Sequence, residues 1–211
     1  MSLIQTVVIG HINRADAALD LSTQLHGKAF IDEGDLGEWN NHRRALIWAA
    51  ARNRGEWTLV LQDDAIIRPD LLEQCEQAVM SAPILDTAIG LYFGRVRPWP
   101  EKMREVTARA DAVGASWISG RGMYWGVGIL MPTDEIAAAL AWSKRRPSWP
   151  YDQRIGSYFV HRRRRVLYTW PSLVDHSDVP SLLAGHDRDG ARRAWRTGTP
   201  EWNSSVVDIA G

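Results

Sequence analysis

The chain has 211 residues, of which 45% are hydrophobic and 24% charged, values that are ordinary for one globular domain with a buried core. The formal net charge is zero, and the single cysteine, Cys75, excludes an internal disulfide and a cysteine-based zinc site. No apolar run is long enough to cross a bilayer, and the N-terminus lacks a basic segment and a cleavage site, so we expect a soluble cytoplasmic protein without a membrane partner.

Strands and helices alternate in the first part of the chain. The β-branched run TVVIG predicts a buried strand over 6–10. Apolar spacing predicts the elements that follow, which are a helix over 15–25, a strand over 28–31, a helix over 39–53, a strand over 57–61, a helix from Pro69 and a strand over 87–93. This alternation predicts an α/β fold with a mainly parallel sheet that is flanked by helices.

Polar residues follow three of the predicted strands, at 10–14, 32–35 and 62–64. In open α/β sheets, ligands bind at the carboxyl ends of the strands. Because the ends of parallel strands lie at one edge of the sheet, we expect the three clusters to form one binding site.

The second half of the chain has a weaker pattern. Residues 95–110 are rich in proline, tryptophan and charge, and predict a surface loop with some helix. Glycines among aromatic and aliphatic residues over 117–131 predict strands with close backbone approaches. Further elements are expected before a polar, basic tail, namely a helix that Thr133 caps and that runs to about Trp142, a short helix over 151–160 and a strand over 165–170.

Asp63 and Asp64 follow the predicted strand over 57–61 almost directly. Two adjacent carboxylates raise each other's pKa unless a cation or water relieves the repulsion. Mg²⁺ relieves it in many sites, through one or two carboxylates and the phosphates of a substrate. The alternative is a solvated turn in which one aspartate caps the next helix. Arg68 precedes the helix-opening Pro69, however, so both aspartates come too early for that role.

The segment WTLVLQDDAIIRPDLL resembles the nucleotide-sugar-binding region of GT-A fold glycosyltransferases, whose DxD motif follows a buried strand. Its form is most similar to the EDDA variant of lipooligosaccharide-type transferases. Other segments resemble the family in the same order over roughly residues 5–190, namely TVVIGHINR, FIDEGD, AAARNRG, MYWGVGILMP, PYDQRIG and PSLVDHSD. Gln62 departs from the family pattern, because many members have an acidic residue there.

The resemblance implies a metal site, a donor site and a catalytic base. Asp64 and His176 would hold Mn²⁺ or Mg²⁺, which stabilises the departing nucleoside diphosphate. Asp152 would deprotonate the acceptor hydroxyl for an in-line attack that inverts the sugar. The donor, expected to be a uridine diphosphate sugar, would be bound by Gly10, His11, Asn13, Arg14, Asp32, Arg44, Gln62, Asp63 and Gly126.

The resemblance also implies a single GT-A domain with two functional halves. Residues 1–94 would bind the nucleotide sugar, residues 95–190 would bind the acceptor and carry catalysis, and residues 191–211 would form a basic tail.

Two of these residues have simpler interpretations. Asp152 suits the N-cap of the predicted helix that follows it. His176 would be a hydrogen-bonded loop histidine, the commoner role for a single histidine. Cys75 lies at an apolar helical position, which predicts a packed thiol.

Charge is distributed unevenly along the chain. Residues 1–140 contain 13 basic and 18 acidic side chains, whereas residues 141–211 contain 12 and 7. The second part includes arginine clusters at 162–165 and 188–196. A metal site that faces a basic surface would suit a polyanion. The alternative is a solvated surface, which is favoured for 162–165 because a predicted strand follows this cluster directly. Since phage-type transferases of this size include enzymes that modify DNA bases, we expect the acceptor to be a 5-hydroxymethylated pyrimidine in DNA, in the host cytoplasm if a phage encodes the protein. The alternative acceptors are a saccharide or a protein.

Other classes of protein share parts of this pattern. An aspartate pair after a strand also occurs in nucleotidyltransferases and phosphatase-like metal enzymes, and a non-catalytic nucleotide-sugar-binding protein would have the same donor site. The segment GHINR has one glycine, unlike the glycine-rich basic loop of nucleotidyltransferases. No aspartate ends the first strand, as phosphatase-like chemistry would require. The sequence therefore favours the transferase.

Overall fold

A mixed β-sheet forms the centre of the computed structural model, which describes residues 2–96, 98–177, 179 and 192–210. The described strands are β1 (Ser2–His11), β2 (Lys28–Asp32), β3 (Gly55–Gln62), β4 (Ala65–Ile67), β5 (Ile89–Gly90), β6 (Trp117–Gly120), β7 (Gly128–Pro132), β8 (Val166–Thr169), β9 (Val174–His176) and β10 (Val206–Asp208). Within the described residues, eight of them form one sheet in the order β10-β6-β8-β5-β7-β3-β1-β2, and β4 pairs separately with β9. Four of the seven neighbouring pairs in this sheet are parallel, and β7 runs antiparallel between β3 and β5.

Helices cover both faces of the sheet. The described α-helices are α1 (Ala15–Gln24), α2 (Gly37–Arg52), α3 (Leu71–Ser81), α4 (Pro100–Ala112), α5 (Ile136–Ser143) and α6 (Tyr151–His161). Successive side chains of a strand point to opposite faces, so Val7 of β1 joins the apolar cluster of α2, α4, α5 and α6, and Val8 joins the cluster of α1 and α3. The α/β fold with a mainly parallel sheet and flanking helices is therefore confirmed.

The elements predicted up to residue 62 are confirmed within a few residues at each end. The helix expected from Pro69 instead begins at Leu71, after Asp70 at its N-cap. The strand expected over 87–93 is reduced to Ile89–Gly90. It ends early because the backbone of 91–93 bonds to a neighbouring segment: the amides of Leu173 and Val174 both donate to the carbonyl of Leu91, and the amide of Phe93 donates to Oγ of Ser172.

The prediction that 95–110 is mainly a surface loop is wrong, because α4 begins at Pro100 and occupies eleven of these sixteen residues. Pro100 stands at the first helical position, where its missing N–H costs nothing. Met103, Val106 and Ala110 are completely buried and lie at helical spacing. That spacing was obscured by the prolines, tryptophans and charges around it.

Thr133 does not cap a helix, contrary to the prediction. It lies in a short 3-10 turn that precedes α5, and it makes no capping bond. Its hydroxyl is buried and lies 2.9 Å from Oγ1 of Thr58 in β3. The hydroxyl is thus used to join the turn to the sheet.

The short pair β4–β9 joins the third strand of the chain to its C-terminal part. In this antiparallel pair Ala65 lies opposite His176, and the amide of Ser177 donates to the carbonyl of Asp64 at 2.8 Å. Three-residue strands give no readable periodicity, so neither element was predicted. Their pairing brings His176 beside the aspartates that follow β3.

Two smaller predictions from the sequence can be compared with the described residues. Cys75 is completely buried in α3, so the packed thiol is confirmed. No helix among the described residues combines the length and the apolar character that a membrane span needs.

Candidate functional site

The ends of β1 and β3 form one edge of the site. The two strands are adjacent and parallel, with Ile9 opposite Gln62, so the residues that follow each strand lie side by side. The amide of His11 donates to Oδ2 of Asp63 at 2.9 Å and links the two strand ends. Gly10 allows this edge to be tight, since a Cβ there would lie only 2.6 Å from Cβ of Ala18.

Arg14 contacts both aspartates of the predicted motif. Its Nη1 lies 3.3 Å from Oδ1 of Asp63 and 3.0 Å from Oδ2 of Asp64. Burial raises the pKa of Asp63, and the charge of Asp64 adds to the rise, although the amide of His11 and the guanidinium of Arg14 oppose it. The pair is therefore crowded and partly buried, as the sequence indicated.

His176 completes the group on the other side of Asp64. Its Nε2 lies 3.5 Å from Oδ2 of Asp64, and its Nδ1 is hydrogen-bonded to the carbonyl of Ser177. Because a carbonyl only accepts, Nδ1 carries a proton, and in the neutral ring Nε2 presents a lone pair. The other carboxylate oxygen, Oδ1 of Asp64, is buried and has no hydrogen-bond partner among the described residues.

These atoms fit a divalent cation in part. An unpartnered carboxylate oxygen and an imidazole lone pair on two side chains that are neighbours in space are suitable ligands for Mn²⁺ or Mg²⁺. Within the described part of the chain, no group of three or more histidine, cysteine, aspartate or glutamate side chains is arranged to hold a metal. A cation at Asp64 and His176 would thus take its other ligands from water and from a bound phosphate, the mode that Mg²⁺ favours.

A cavity of about 350 Å³ lies over the strand ends, and we call it the strand-end cavity. The predicted residues that line it are Gly10, His11, Arg14, Asp32, Gln62, Asp63, Asp64 and His176. The structure therefore brings together eight of the twelve predicted site residues, from three separate strand ends and from β9.

Asn13 and Arg44, two predicted donor-binding residues, lie outside this cavity. Asn13 is exposed, and its backbone N–H donates to Nδ1 of His11. Nη2 of Arg44 donates to the carbonyl of Ile31 and to Oδ1 of Asn41. Their contact with a donor stays a prediction.

Asp32 lines the cavity, but its carboxylate is engaged by the protein. It accepts hydrogen bonds from the amides of Gly34, Asp35, Leu36 and Gly37, at 2.8 to 3.2 Å. Burial alone would raise the pKa of Asp32, but these four amides outweigh it and lower the pKa. In the structure Asp32 stabilises the loop between β2 and α2. Its contact with a base or ribose stays a prediction.

A second cavity of about 390 Å³, which we call the aromatic cavity, adjoins the first. Its aromatic lining residues are Tyr92, Tyr124, Trp125 and Tyr151, and it also holds the predicted residues Gly126 and Asp152. The two cavities share the lining residues Glu38, Gln62, His176 and Arg192. The predicted metal ligands and the predicted base therefore face adjoining spaces.

Gly126 is required by the close approach of Tyr151. A Cβ on Gly126 would lie 2.4 to 2.6 Å from atoms of the Tyr151 ring, and the hydroxyl of Tyr151 donates to the carbonyl of Gly126. Tyr151 is itself buried and stacks on His42. This contact fixes the first turn of α6, in which Asp152 lies.

Asp152 is half-buried and does not cap its helix. The N-cap of α6 is Pro150, and Asp152 follows in the first turn, where its Oδ1 accepts from the amide of Gln153 at 2.7 Å. Burial raises the pKa of Asp152 to about 7, and the charge of Glu38 contributes to the rise. A carboxyl group with this pKa can accept a proton near neutral pH.

Glu38 was not predicted, although it borders both cavities. Burial raises its pKa; the charge of Asp64 adds to the rise and that of Arg154 opposes it. The sequence feature that could have indicated Glu38 is its position about one turn after the polar cluster 32–35, at the start of a predicted helix.

Four of the eight arginines in the two clusters are paired with acids in the described part of the chain. The pairs are Arg164 with Glu135, Arg165 with Asp208, Arg193 with Asp175 and Arg196 with Asp111. Arg188 lies outside the described residues. Arg192 borders both cavities, so one member of the second cluster lies at the candidate site.

Comparison with known proteins gives no family. No family model matches the chain, and no curated protein matches it. A solved glycosyltransferase involved in the glycosylation of the major capsid of PBCV-1 matches at a TM-score of 0.41 and 16% identity, over 84% of this chain and 94% of that one. The protein A197 from STIV matches at 0.35 and 10% identity, over 82% and 85%. Likenesses this distant carry no inference about activity.

Proposed function

We propose that the protein is a metal-dependent glycosyltransferase that moves a sugar from a uridine diphosphate donor to an acceptor hydroxyl. The observation that carries the proposal is the adjacency of the two cavities. The strand-end cavity is lined by Asp63, Asp64 and His176, and the aromatic cavity is lined by Asp152. Gln62 and His176 line both cavities. Such an arrangement suits a donor diphosphate and an acceptor that meet at the shared wall.

The metal site would consist of Asp64 and His176, through the unpartnered Oδ1 and the lone pair of Nε2. Mn²⁺ or Mg²⁺ there would supply positive charge for the oxygens of the donor diphosphate. Arg14 already contacts both aspartates and would remain beside the same phosphates. Burial and the charge of Asp64 raise the pKa of Asp63, and the cation would add to the counter-charge that Arg14 already provides.

Asp152 would act as the base in the transfer step. Its carboxylate takes the proton of the acceptor hydroxyl, whose oxygen forms a bond to the anomeric carbon of the sugar. The bond from that carbon to the diphosphate oxygen breaks, and the nucleoside diphosphate leaves with the electron pair. We propose that Asp152, on the cavity beside the donor site, directs the acceptor oxygen to the face opposite the leaving group, so that the transfer inverts the configuration.

The lining of the aromatic cavity favours an uncharged acceptor. Glu38 and Asp152 both border it and, when ionised, would repel a nucleic acid backbone, although Arg192 borders it as well. Four arginines of the basic clusters are paired with acids, which weakens the expectation of a DNA acceptor. We therefore place a saccharide hydroxyl ahead of a 5-hydroxymethylated pyrimidine. Salt-sensitive transfer to hydroxymethylated DNA, without transfer to any saccharide, would reverse this order.

A donor panel tests the proposal. The protein is incubated with UDP-glucose, UDP-galactose, UDP-N-acetylglucosamine and GDP-mannose, with Mn²⁺ and with a chelator, and release of nucleoside diphosphate is measured. Release from one donor that depends on Mn²⁺ is the expected result. Binding without release would indicate a nucleotide-sugar-binding protein. In a parallel incubation with a nucleoside triphosphate and a sugar 1-phosphate, formation of pyrophosphate would indicate a nucleotidyltransferase.

A further inference from the structure

His42 of α2 has a buried ring nitrogen that has no hydrogen-bond partner among the described residues. The side chain is 1% exposed, and its Nδ1 lies 2.7 Å from the carbonyl of Glu38. That carbonyl can only accept, so Nδ1 donates and Nε2 is left as a lone pair. Within the described residues, Nε2 has no hydrogen-bond partner.

A structural role alone does not account for this atom. A buried acceptor without a partner has lost its hydrogen bonds to water and gained none in return, whereas an apolar ring of similar shape would have nothing to lose. Burial also lowers the pKa of His42 to about 4, so the ring is neutral under ordinary conditions and Nε2 remains an acceptor.

The position of His42 indicates which ligand group it meets. The residue lines the strand-end cavity, and its ring stacks on Tyr151 with 3.5 Å between the ring centroids. Tyr151 lines the aromatic cavity, so His42 lies where the two cavities adjoin. Under the proposed function, this is the place of the sugar that is transferred between donor and acceptor.

Only a hydrogen-bond donor satisfies a lone pair. The phosphate oxygens of a nucleotide sugar are acceptors, whereas its sugar hydroxyls, its ribose hydroxyls and N3–H of uracil can donate. The position between the two cavities favours the transferred sugar among these donors. We propose that Nε2 of His42 accepts a hydrogen bond from a hydroxyl group of the donor sugar, and that His42 is thereby a specificity residue for that sugar. This inference rests on the proposed function and assigns one residue within it.

The test compares a nucleotide sugar with the same nucleotide without its sugar. Affinities for UDP and for UDP-glucose, UDP-galactose and UDP-N-acetylglucosamine are measured by calorimetry with wild-type protein and with His42→Phe, which keeps a ring against Tyr151 and lacks both nitrogens. We expect His42→Phe to bind the preferred nucleotide sugar about tenfold more weakly, or about 1.4 kcal/mol, and to bind UDP within about twofold of wild type. His161→Phe is the matched control, because His161 also stacks on an aromatic ring, that of Trp142, and lines neither cavity.

Two further arms keep the outcome decisive. A deoxy analogue that lacks the bonded hydroxyl should bind wild type and His42→Phe equally. If His42→Phe does not fold, His42→Asn replaces it, since its amide can donate to the carbonyl of Glu38 and offers nothing at the position of Nε2. Equal weakening of UDP and nucleotide sugar, or no weakening of either, would overturn the role of His42 and leave the proposed function standing. Failure of the wild-type protein to bind any nucleotide would overturn both.

Discussion

Nε2 of His176 lies 3.5 Å from Oδ2 of Asp64, although the two residues are far apart in the sequence. The contact depends on the β4–β9 pair, in which His176 is opposite Ala65, the residue that follows Asp64. The pair holds the histidine at the strand edge with its lone pair towards the carboxylate. This geometry supports a shared cation and leads to the first prediction.

His176→Ala should weaken Mn²⁺ binding by at least about tenfold, because even residues that only support a metal ligand change affinity by about 10–100-fold. Mn²⁺ binding in the presence of UDP is measured by electron paramagnetic resonance. His161→Ala, at the end of α6, is the control and should bind Mn²⁺ as wild type does. Unchanged Mn²⁺ affinity in His176→Ala would show that His176 is a structural loop histidine.

Turnover should depend on the protonation of Asp152. The pKa of about 7 means that the carboxyl group is protonated at lower pH and cannot accept a proton there, so kcat/KM should fall about tenfold for each pH unit below 7 and level off above 8. Since the charge of Glu38 helps to raise this pKa, Glu38→Gln should move the midpoint to lower pH. A flat profile between pH 5.5 and 8 in the wild type would argue against Asp152 as the base.

Gly126→Ala should destabilise the wall of the aromatic cavity. The added Cβ would overlap the ring of Tyr151, and overpacking of this kind typically costs about 1–3 kcal/mol. The free energy of unfolding is measured in urea for Gly126→Ala, for Tyr151→Leu and for the double variant. The cost of the alanine should be smaller beside Leu than beside Tyr151, and an equal cost in both backgrounds would contradict the overlap.

Asp32→Asn should destabilise the loop between β2 and α2. An amide has one acceptor oxygen in place of two, so some of the four loop amides lose their partner, at a cost of about 1–3 kcal/mol. Urea unfolding measures the change, and Asp35→Asn, an exposed neighbour in the same loop, should leave stability unchanged. If Asp32→Asn were as stable as wild type yet bound UDP poorly, Asp32 would be a ligand residue more than a structural one.

The first half of the fold was readable from the sequence because its signals are local. β-branched runs such as 6–10 and 57–61 mark buried strands, and the polar residues after them meet in one cavity, as parallel strand ends require. The aspartate pair could be located in this way without any relative.

The rest depended on contacts that local patterns do not carry. The three-residue strand that contains His176 has no readable periodicity. Only the resemblance to a family predicted this residue as a metal ligand. His42 lies on the same helical face as Leu46, and a spacing of four residues is typical of core packing. Its unpartnered nitrogen is visible only in three dimensions. The arginine clusters looked like a polyanion surface because their acidic partners are distant in sequence.

The most direct test compares Asp64→Ala and Asp152→Asn, with Mn²⁺-dependent donor binding and turnover measured on the same preparations. The account predicts that Asp64→Ala loses both, and that Asp152→Asn binds the donor as wild type does while its turnover falls at least about 100-fold. Full Mn²⁺-dependent turnover in Asp64→Ala would contradict the metal–diphosphate site and with it the proposed transferase.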